Sequence, residues 1–393
     1  MPLRFLTSGE SHGAALMAIL EGLPAGLSLT AEMIDYQLAR RQRGYGAGPR
    51  MAIEHDRVVI LSGVMGGVTI GSPITMQIEN RDHPNWRGKS IKAMTNPRPG
   101  HADLTAAIKY GYRDLRLSLE RASARETASR VAVGAVCGQY LAAFGIQIGG
   151  YVSAIGDVSM DVGAVDLITM AQRADSSDVC CPDPDAAVRM REIIHEARES
   201  GDTLGGMLEV FAIGLPPGLG SHVHWDRRLD SRLGGAVLGI QAVKGVEIGP
   251  AFANAKRRGT QAQDALHLED DRLVRPTNHS GGLEGGITTG QPLQIRAAMK
   301  PIASTIIPQA TVDLALGKET ETQYERSDTC PVPRALPIVE AVVAFILADA
   351  LIEKIGGDSL DEMRPRFESL RRARLSDLTL DNQEHIFWGD SAA

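Results

Sequence analysis

The chain of 393 residues has only four cysteines, Cys137, Cys180, Cys181 and Cys330. None forms a CxxC pair, and the adjacent Cys180 and Cys181 are poorly placed to bridge each other. This excludes a disulfide framework and reads as a reduced, cytoplasmic protein with structural thiols. A basic excess is also missing: 41 Lys and Arg stand against 48 Asp and Glu, a net charge of −7. That balance argues against nucleic acid or a membrane surface as a partner. The opening MPLRFLTSGE holds no apolar run of signal-peptide length. The most apolar stretch, 335–355, contains Glu340, Asp349 and Glu353, and reads as a buried helix rather than a membrane span. No GKS or GKT directly follows the arginine–glycine stretch at 40–50 and no G-x-x-x-x-G-K-[ST] pattern occurs, hence no P-loop, and no glycine fingerprint follows a strand, hence no dinucleotide-binding turn.

What is present suits a soluble globular chain: 43% hydrophobic and 23% charged residues, enough for a substantial core. Strand-like runs fall at 57–64, 73–79, 147–155, 207–215 and 292–298. Helical periodicity covers 31–41, 104–117, 118–144, 186–199, 229–243 and 336–355, the last ending at Gly356-Gly357. The mixture is neither all-helical nor a regular alternation, so the expected class is α+β. Two segments repeat one pattern: GVMGGVTIGSPI at 63–74 and GLEGGITTGQPL at 282–293. Glycines at fixed offsets, then proline and an apolar run, predict one turn feeding one strand twice, and so two similar halves.

Arginines cluster despite the acidic balance. Arg40, Arg41, Arg43 and Arg50 form one group, and Arg113, Arg116, Arg121, Arg125 and Arg130 another. Such clusters point to a small, highly charged anion, with solvated surface arginines as the plain alternative. Several strings carry chemistry. Ser8-Gly9-Glu10-Ser11-His12-Gly13 places a hydroxyl beside an imidazole suited to proton transfer at neutral pH. The stretch 40–50 interleaves arginine forks with glycines able to wrap a carboxylate or phosphate. In Arg98-Pro99-Gly100-His101-Ala102-Asp103, His101 stands just before a helix pattern. The segment 120–134 reads as a buried helix on which Arg121 and Arg125 share a face, with Ser123, Thr127 and Arg130 alongside. Its arginines need anionic partners, either Glu120 and Glu126 or a ligand. Lys300 to Thr305 and Arg326 to Pro331 each join a cation to small hydroxyl residues, and Asp328 is a candidate proton acceptor. His222 and His224 lie in a loop without further ligands nearby, so no metal site is expected.

Together these strings resemble the chorismate synthase family. They are SGESHG, RRQRGYGAGPRM, RPGHAD, ERASARETASRVAVG, GDTLGG, GIQAVKGVEIG, GGLEGGITTGQPL, AAMKPI and RSDTCPVPRA, in the family's order from Gly9 to about Gly357. The resemblance covers 1–370 as one catalytic domain and leaves 371–393 as a tail. It implies a β–α–β sandwich, a homotetramer, and 1,4-elimination of phosphate from 5-enolpyruvylshikimate 3-phosphate with reduced FMN and no net redox change. Carried over by residue, it implies His12, backed by Ser11, as the acid for the departing phosphate. His101 would serve the reduced flavin and Asp328 would accept the proton. Arg41, Arg50 and Arg125 would hold substrate anions. Arg121, Ser123, Gln241, Ala242, Gly286, Lys300, Pro301, Ile302, Ala303, Ser304 and Arg326 would line the flavin site, with Ser123 also near the chemistry. The chain departs from the family at Ala47, where arginine is common; Arg43 is the candidate to compensate. Two other classes remain: a nicotinamide-dependent flavin oxidoreductase and a non-catalytic binding module. Without a dinucleotide fingerprint, the expected source of reduced flavin is an external reducing system.

Overall fold

The computed structural model describes residues 2–48, 53–161, 163 and 165–385. The chain builds the same unit twice. The first half runs β1 (Arg4–Ser8), β2 (Ala15–Glu21), α1 (Ala31–Gln42), β3 (Val58–Ser62), a small hairpin of β4 (Val64–Met65) and β5 (Val68–Thr69), then β6 (Ile74–Glu79). Two short helices, α2 (Asp103–Tyr110) and α3 (Arg116–Ala122), precede the long α4 (Thr127–Ala142). The second half begins with β7 (Gln147–Ile155), followed by an excursion through β8 (Val158–Ser159), α5 (Leu167–Asp175) and α6 (Pro184–Ser200). It resumes with β9 (Gly206–Ile213), α7 (Leu229–Leu238) and β10 (Val243–Ile248). After two one-turn helices, α8 (Ala251–Asn254) and α9 (Gly259–Ala262), comes a hairpin of β11 (His267–Glu269) and β12 (Arg272–Val274). The repeated hairpin β13 (Leu283–Glu284) and β14 (Ile287–Thr288) then feeds β15 (Leu293–Met299). A further hairpin, β16 (Ala310–Asp313) and β17 (Lys318–Glu321), leads to α10 (Val332–Ile355) and α11 (Leu360–Glu368).

Four strands of each antiparallel sheet correspond, and β8 adds an edge strand to the second. One has the order β1-β2-β6-β3 and the other β8-β7-β9-β15-β10, so β1, β2, β6 and β3 correspond to β7, β9, β15 and β10. The repeated sequence folds identically at its turns: φ is 87° at Gly63 and 88° at Gly282, 58° at both Gly66 and Gly285, and 80° and 81° at Gly67 and Gly286. These left-handed values are what glycine permits and a β-carbon opposes. A threonine then pins each hairpin. Thr69 Oγ1 donates to Pro24 O and accepts from Leu27 N–H, and Thr288 Oγ1 donates to Pro216 O and accepts from Leu219 N–H. Those partners lie in GLPAGL (22–27) and GLPPGL (214–219), a second pair of matching strings.

The helices form the middle layer. α4 packs on β2 and β6, α10 on β7 and β9, and the two helices pack on each other. This is the β–α–β sandwich of an α+β protein. α10 is apolar on every side; it is long and apolar enough to cross a membrane, but 83% of its most apolar window is buried inside the protein. The helix expected over 118–144 is broken instead. Ser123 has extended geometry (φ −61°, ψ 140°), and its Oγ accepts from Arg125 N–H to start a fresh turn. The helix expected over 104–117 stops at Gly111, in left-handed conformation, and the one over 229–243 ends at Leu238. Beyond 370 the chain still packs on the protein, with Leu375 N–H donating to Asp271 O and Ser376 Oγ to Asp271 Oδ2.

A β-carbon at Gly134 of α4 would lie 2.2 Å from Ala341 Cβ of α10, whereas one at Gly138, a turn later, would meet nothing within 4 Å. Gly134→Ala should therefore lower stability by about 1–3 kcal/mol through overpacking, and Gly138→Ala should raise it by about 0.5–1 kcal/mol through helix propensity. Urea midpoints of the two variants check this.

Candidate active site

A cavity of about 690 Å³ lies where the loops before α4 and α10 meet the loop after β1. Its volume is in the range of small-molecule and cofactor sites. The loop between β1 and β2 turns tightly because Gly9 has φ +105° and a β-carbon there would fall 2.4 Å from Ala15 O. This turn presents Ser11 and His12. Ser11 Oγ donates to Ser123 Oγ at 3.1 Å. His12 Nδ1 is 2.6 Å from Glu120 Oε1, its backbone N–H donates to Glu120 Oε2 at 2.8 Å, and the Trp86 ring lies 4.0 Å from its own.

Across the cavity, Arg98, His101 and Asp103 form a compact network. Arg98 donates to both oxygens of the fully buried Asp103 and to Ser304 Oγ, while His101 Nδ1 is 2.5 Å from Asp103 Oδ1. Burial works to raise the Asp103 carboxyl, but the hydrogen bonds from His101 and Arg98 and the Arg98 charge override it, holding it well below the usual carboxylate range. On the third wall, Asp328 Oδ1 accepts from Gly48 N–H at 2.7 Å and Oδ2 accepts from Arg334. Arg326 donates to Asp82 Oδ2, which also accepts from Trp86 Nε1.

Beneath the cavity lies a buried ion cluster. Arg125 donates to Asp56 Oδ1 at 2.6 Å and to Asn80 Oδ1, and Arg41 donates to Asp56 Oδ2 at 3.0 Å. Burial again opposes the Asp56 charge, and the Arg41 and Arg125 cations overcome it, leaving its carboxyl below the usual range. Arg41 is pushed down to about 10 by burial, against the pull of Asp56 and with the push of Arg334 and Arg125. It remains a cation at neutral pH.

Most sequence-predicted residues are brought together. Ser11, His12, Arg41, His101, Ser123, Arg125, Gln241, Ala242, Lys300, Ile302, Ala303, Ser304, Arg326 and Asp328 line the cavity. Pro301 lies between two lining residues without lining it. Arg50 lies outside the described residues. Arg121 and Gly286 stand apart. The break at Ser123 separates Arg121 from Arg125, and the Arg121 side chain turns outward to Thr7 and Gly9 O. Gly286 sits in the β13–β14 turn against Arg228. Arg43, exposed at the end of α1, does not reach the cavity, and Ala47 lines a smaller neighbouring one of about 370 Å³ that shares Ser304 and Asp328 with it. His224 faces Asp226. Reasoning from sequence misses Trp86, Lys89, Asp82 and Asp56 entirely. Arg98, Asp103 and Arg334 lie inside the motifs but carry no role that their spacing reveals; of the two acids expected to partner the arginines of 120–134, Glu126 holds Arg130, while Glu120 holds His12.

Fold and cavity define an enzyme site built between two repeats, lined by cations, two imidazoles and a carboxylate. The family model for chorismate synthase matches residues 3–352. Proteins named chorismate synthase from Trichlorobacter lovleyi and Desulforudis audaxviator are each 53% identical to the chain; both alignments cover 92% of it, and 97% and 95% of the respective relatives. A crystal structure of a chorismate synthase superposes with a TM-score of 0.78 at 44% identity, covering 94% of this chain and 97% of that one. The chain belongs to the chorismate synthase family, and it is a lyase.

Because the Asp103 carboxyl is held low in the folded protein, its stabilising charge is fully present above the ordinary carboxylate range, about pH 4, and is lost as pH falls toward the folded value. Asp103→Asn should lower stability at neutral pH, and its deficit against the native protein should shrink as pH drops below about 4. Urea midpoints measured across that range give the result.

Proposed function

We propose that the chain converts 5-enolpyruvylshikimate 3-phosphate to chorismate by 1,4-elimination of phosphate, in the shikimate pathway, with reduced FMN as cofactor. The observation that carries this reading is the convergence of His12, His101 and Asp328 on one cation-lined cavity. The substrate's two carboxylates and phosphate call for several cations. Lys89, Lys300, Arg326 and Arg334 line the cavity, and Lys300 Nζ spends one N–H on Gly100 O.

The residues present also fit a flavin. Gln241 Oε1 is buried without a partner among the described residues and is a ready acceptor for an imide N–H or a ribityl hydroxyl. Ala242, at φ +66°, directs its carbonyl to Lys300 N–H and so joins the Gln241 loop to the Lys300–Ser304 loop. Lys300, Arg326, Ser123 and Ser304 would hold the phosphate and ribityl chain. When bound, reduced FMN supplies reversible electron donation that lets an unactivated ring lose phosphate and hydrogen without net redox change.

The protein's own part is binding and proton management. His12 gives the proton that the departing phosphate needs. Asp328, fixed by Gly48 N–H and Arg334, offers its remaining lone pairs to the proton leaving the ring. His101, fixed on Asp103, supplies a proton or positive partner beside the reduced flavin. Trp86 and Leu119 on the cavity wall help to exclude water. The family likeness further supports a cytoplasmic homotetramer fed by a separate flavin-reducing system. The exposed Leu6, Ile19 and Val59 on the outer face of the first sheet suit contact between copies.

The test is anaerobic: purified protein, chemically reduced FMN and 5-enolpyruvylshikimate 3-phosphate, with chorismate absorbance and free phosphate followed together. Equal amounts of both, over many turnovers per flavin, are expected, and His12→Ala should lower kcat by about 10²–10⁴-fold. Absence of phosphate release from the native protein would overturn the reading.

A further inference from the structure

The His12 imidazole is clamped in a way that fixes which nitrogen can exchange a proton. Glu120 grips residue 12 with both oxygens: Oε2 accepts the backbone N–H at 2.8 Å and Oε1 lies 2.6 Å from Nδ1. An ionised carboxylate can only accept, so the short contact requires a proton on Nδ1. Trp86 covers the ring, with centroids 4.0 Å apart and planes tilted by 34°, and is itself held by Asp82 through Nε1. His83 Nδ1, 2.9 Å from His12 O, adds a tie to the backbone. The His12 side chain is 14% exposed and lines the cavity, while Nδ1 is turned away to Glu120.

From this geometry we infer that Glu120 is the positioning residue for His12: it holds the proton on Nδ1 and leaves Nε2 as the atom that exchanges protons with the ligand. The inference rests on the proposed elimination for its consequence, although not for its geometry. In that reaction the breaking C–O bond sends its electron pair out with phosphate. The Nε2 proton of the imidazolium passes to a phosphate oxygen, and the ring is left neutral with Nδ1–H still bonded to Glu120. Glu120 itself does not line the cavity. Its effect is exerted through the tautomer and orientation of His12, as outer partners act on other histidines.

Glu120→Gln is the discriminating variant. The amide cannot accept from both the backbone N–H and Nδ1–H, because its nitrogen end is a donor. It should lower kcat by about 10–100-fold while KM for substrate and the dissociation constant for FMN stay near native. In protein labelled with nitrogen-15 histidine, the neutral form of the His12 ring, populated by raising the pH, should carry its proton on Nδ1 in the native protein, and Glu120→Gln should move it to Nε2. The His12 signal is assigned by its loss in His12→Gln. An unchanged kcat in the variant, or a native neutral ring protonated at Nε2, would sink the inference. If the variant does not fold, the native spectrum alone decides. That spectrum needs neither flavin nor substrate, so its outcome is separate from any failure of the native protein to make chorismate.

Discussion

The close contact of α4 with α10 is the constraint on which the rest depends. Each helix ends one half of the duplicated unit and packs against that half's sheet, so their separation sets the separation of the sheets. Gly134 lies against Ala341 with no room for a β-carbon. The loops that run from β6 to α4 and from β15 to α10 occupy equivalent places in the two halves. They carry Arg98, His101, Glu120 and Ser123 on one side and Lys300, Ser304, Arg326 and Asp328 on the other. A single site therefore forms where the halves face one another, completed by the β1–β2 turn. The duplication produces two frameworks whose loops differ while the turns at Gly63 and Gly282 match.

Charge in this region has two functions that sequence cannot separate. Arg41 and Arg125 share Asp56 under the floor, and Arg125 spends further donors on Asn80 and Glu79 O. Removing one member of such a buried cluster leaves an uncompensated charge, which costs about 3–5 kcal/mol. These arginines hold the floor in place as well as contributing to its potential. Lys300 and Arg326 are more lightly engaged and are freer to meet a ligand. The acids differ in place: Asp56 and Asp103 are locked by cations away from the cavity surface, whereas Asp328, held by Gly48 N–H and Arg334, lines the cavity itself.

Much of the fold is legible in the sequence. The strand at 147–155 coincides with β7, and the helix at 31–41 lies within α1. Both carry strong local periodicity with clear ends. The repeat at 63–74 and 282–293 is readable because glycines at left-handed turns leave a fixed spacing. Strands β1 and β2 escape notice, although β2 alternates buried and open positions, because they are short runs on either side of the glycine-rich SGESHG turn. The break at Ser123 is hidden because alanine-rich flanks favour a continuous helix, while the restart depends on a serine hydroxyl capping the next turn through Arg125 N–H. At the site, linear strings yield His12, His101 and Asp328 but not what orients them. Glu120 is 108 residues from His12 and Arg98 is 206 from Ser304, distances across which spacing has no meaning.

The measurement that bears most directly on the central claim is a crystal structure of the protein with FMN and 5-enolpyruvylshikimate 3-phosphate bound under anaerobic conditions. The account predicts both ligands in the cavity between the two halves, with the substrate phosphate at His12 Nε2 and the flavin against Gln241 and the Lys300–Ser304 loop. Flavin or substrate bound elsewhere, with His12 and Asp328 facing only solvent, would contradict it.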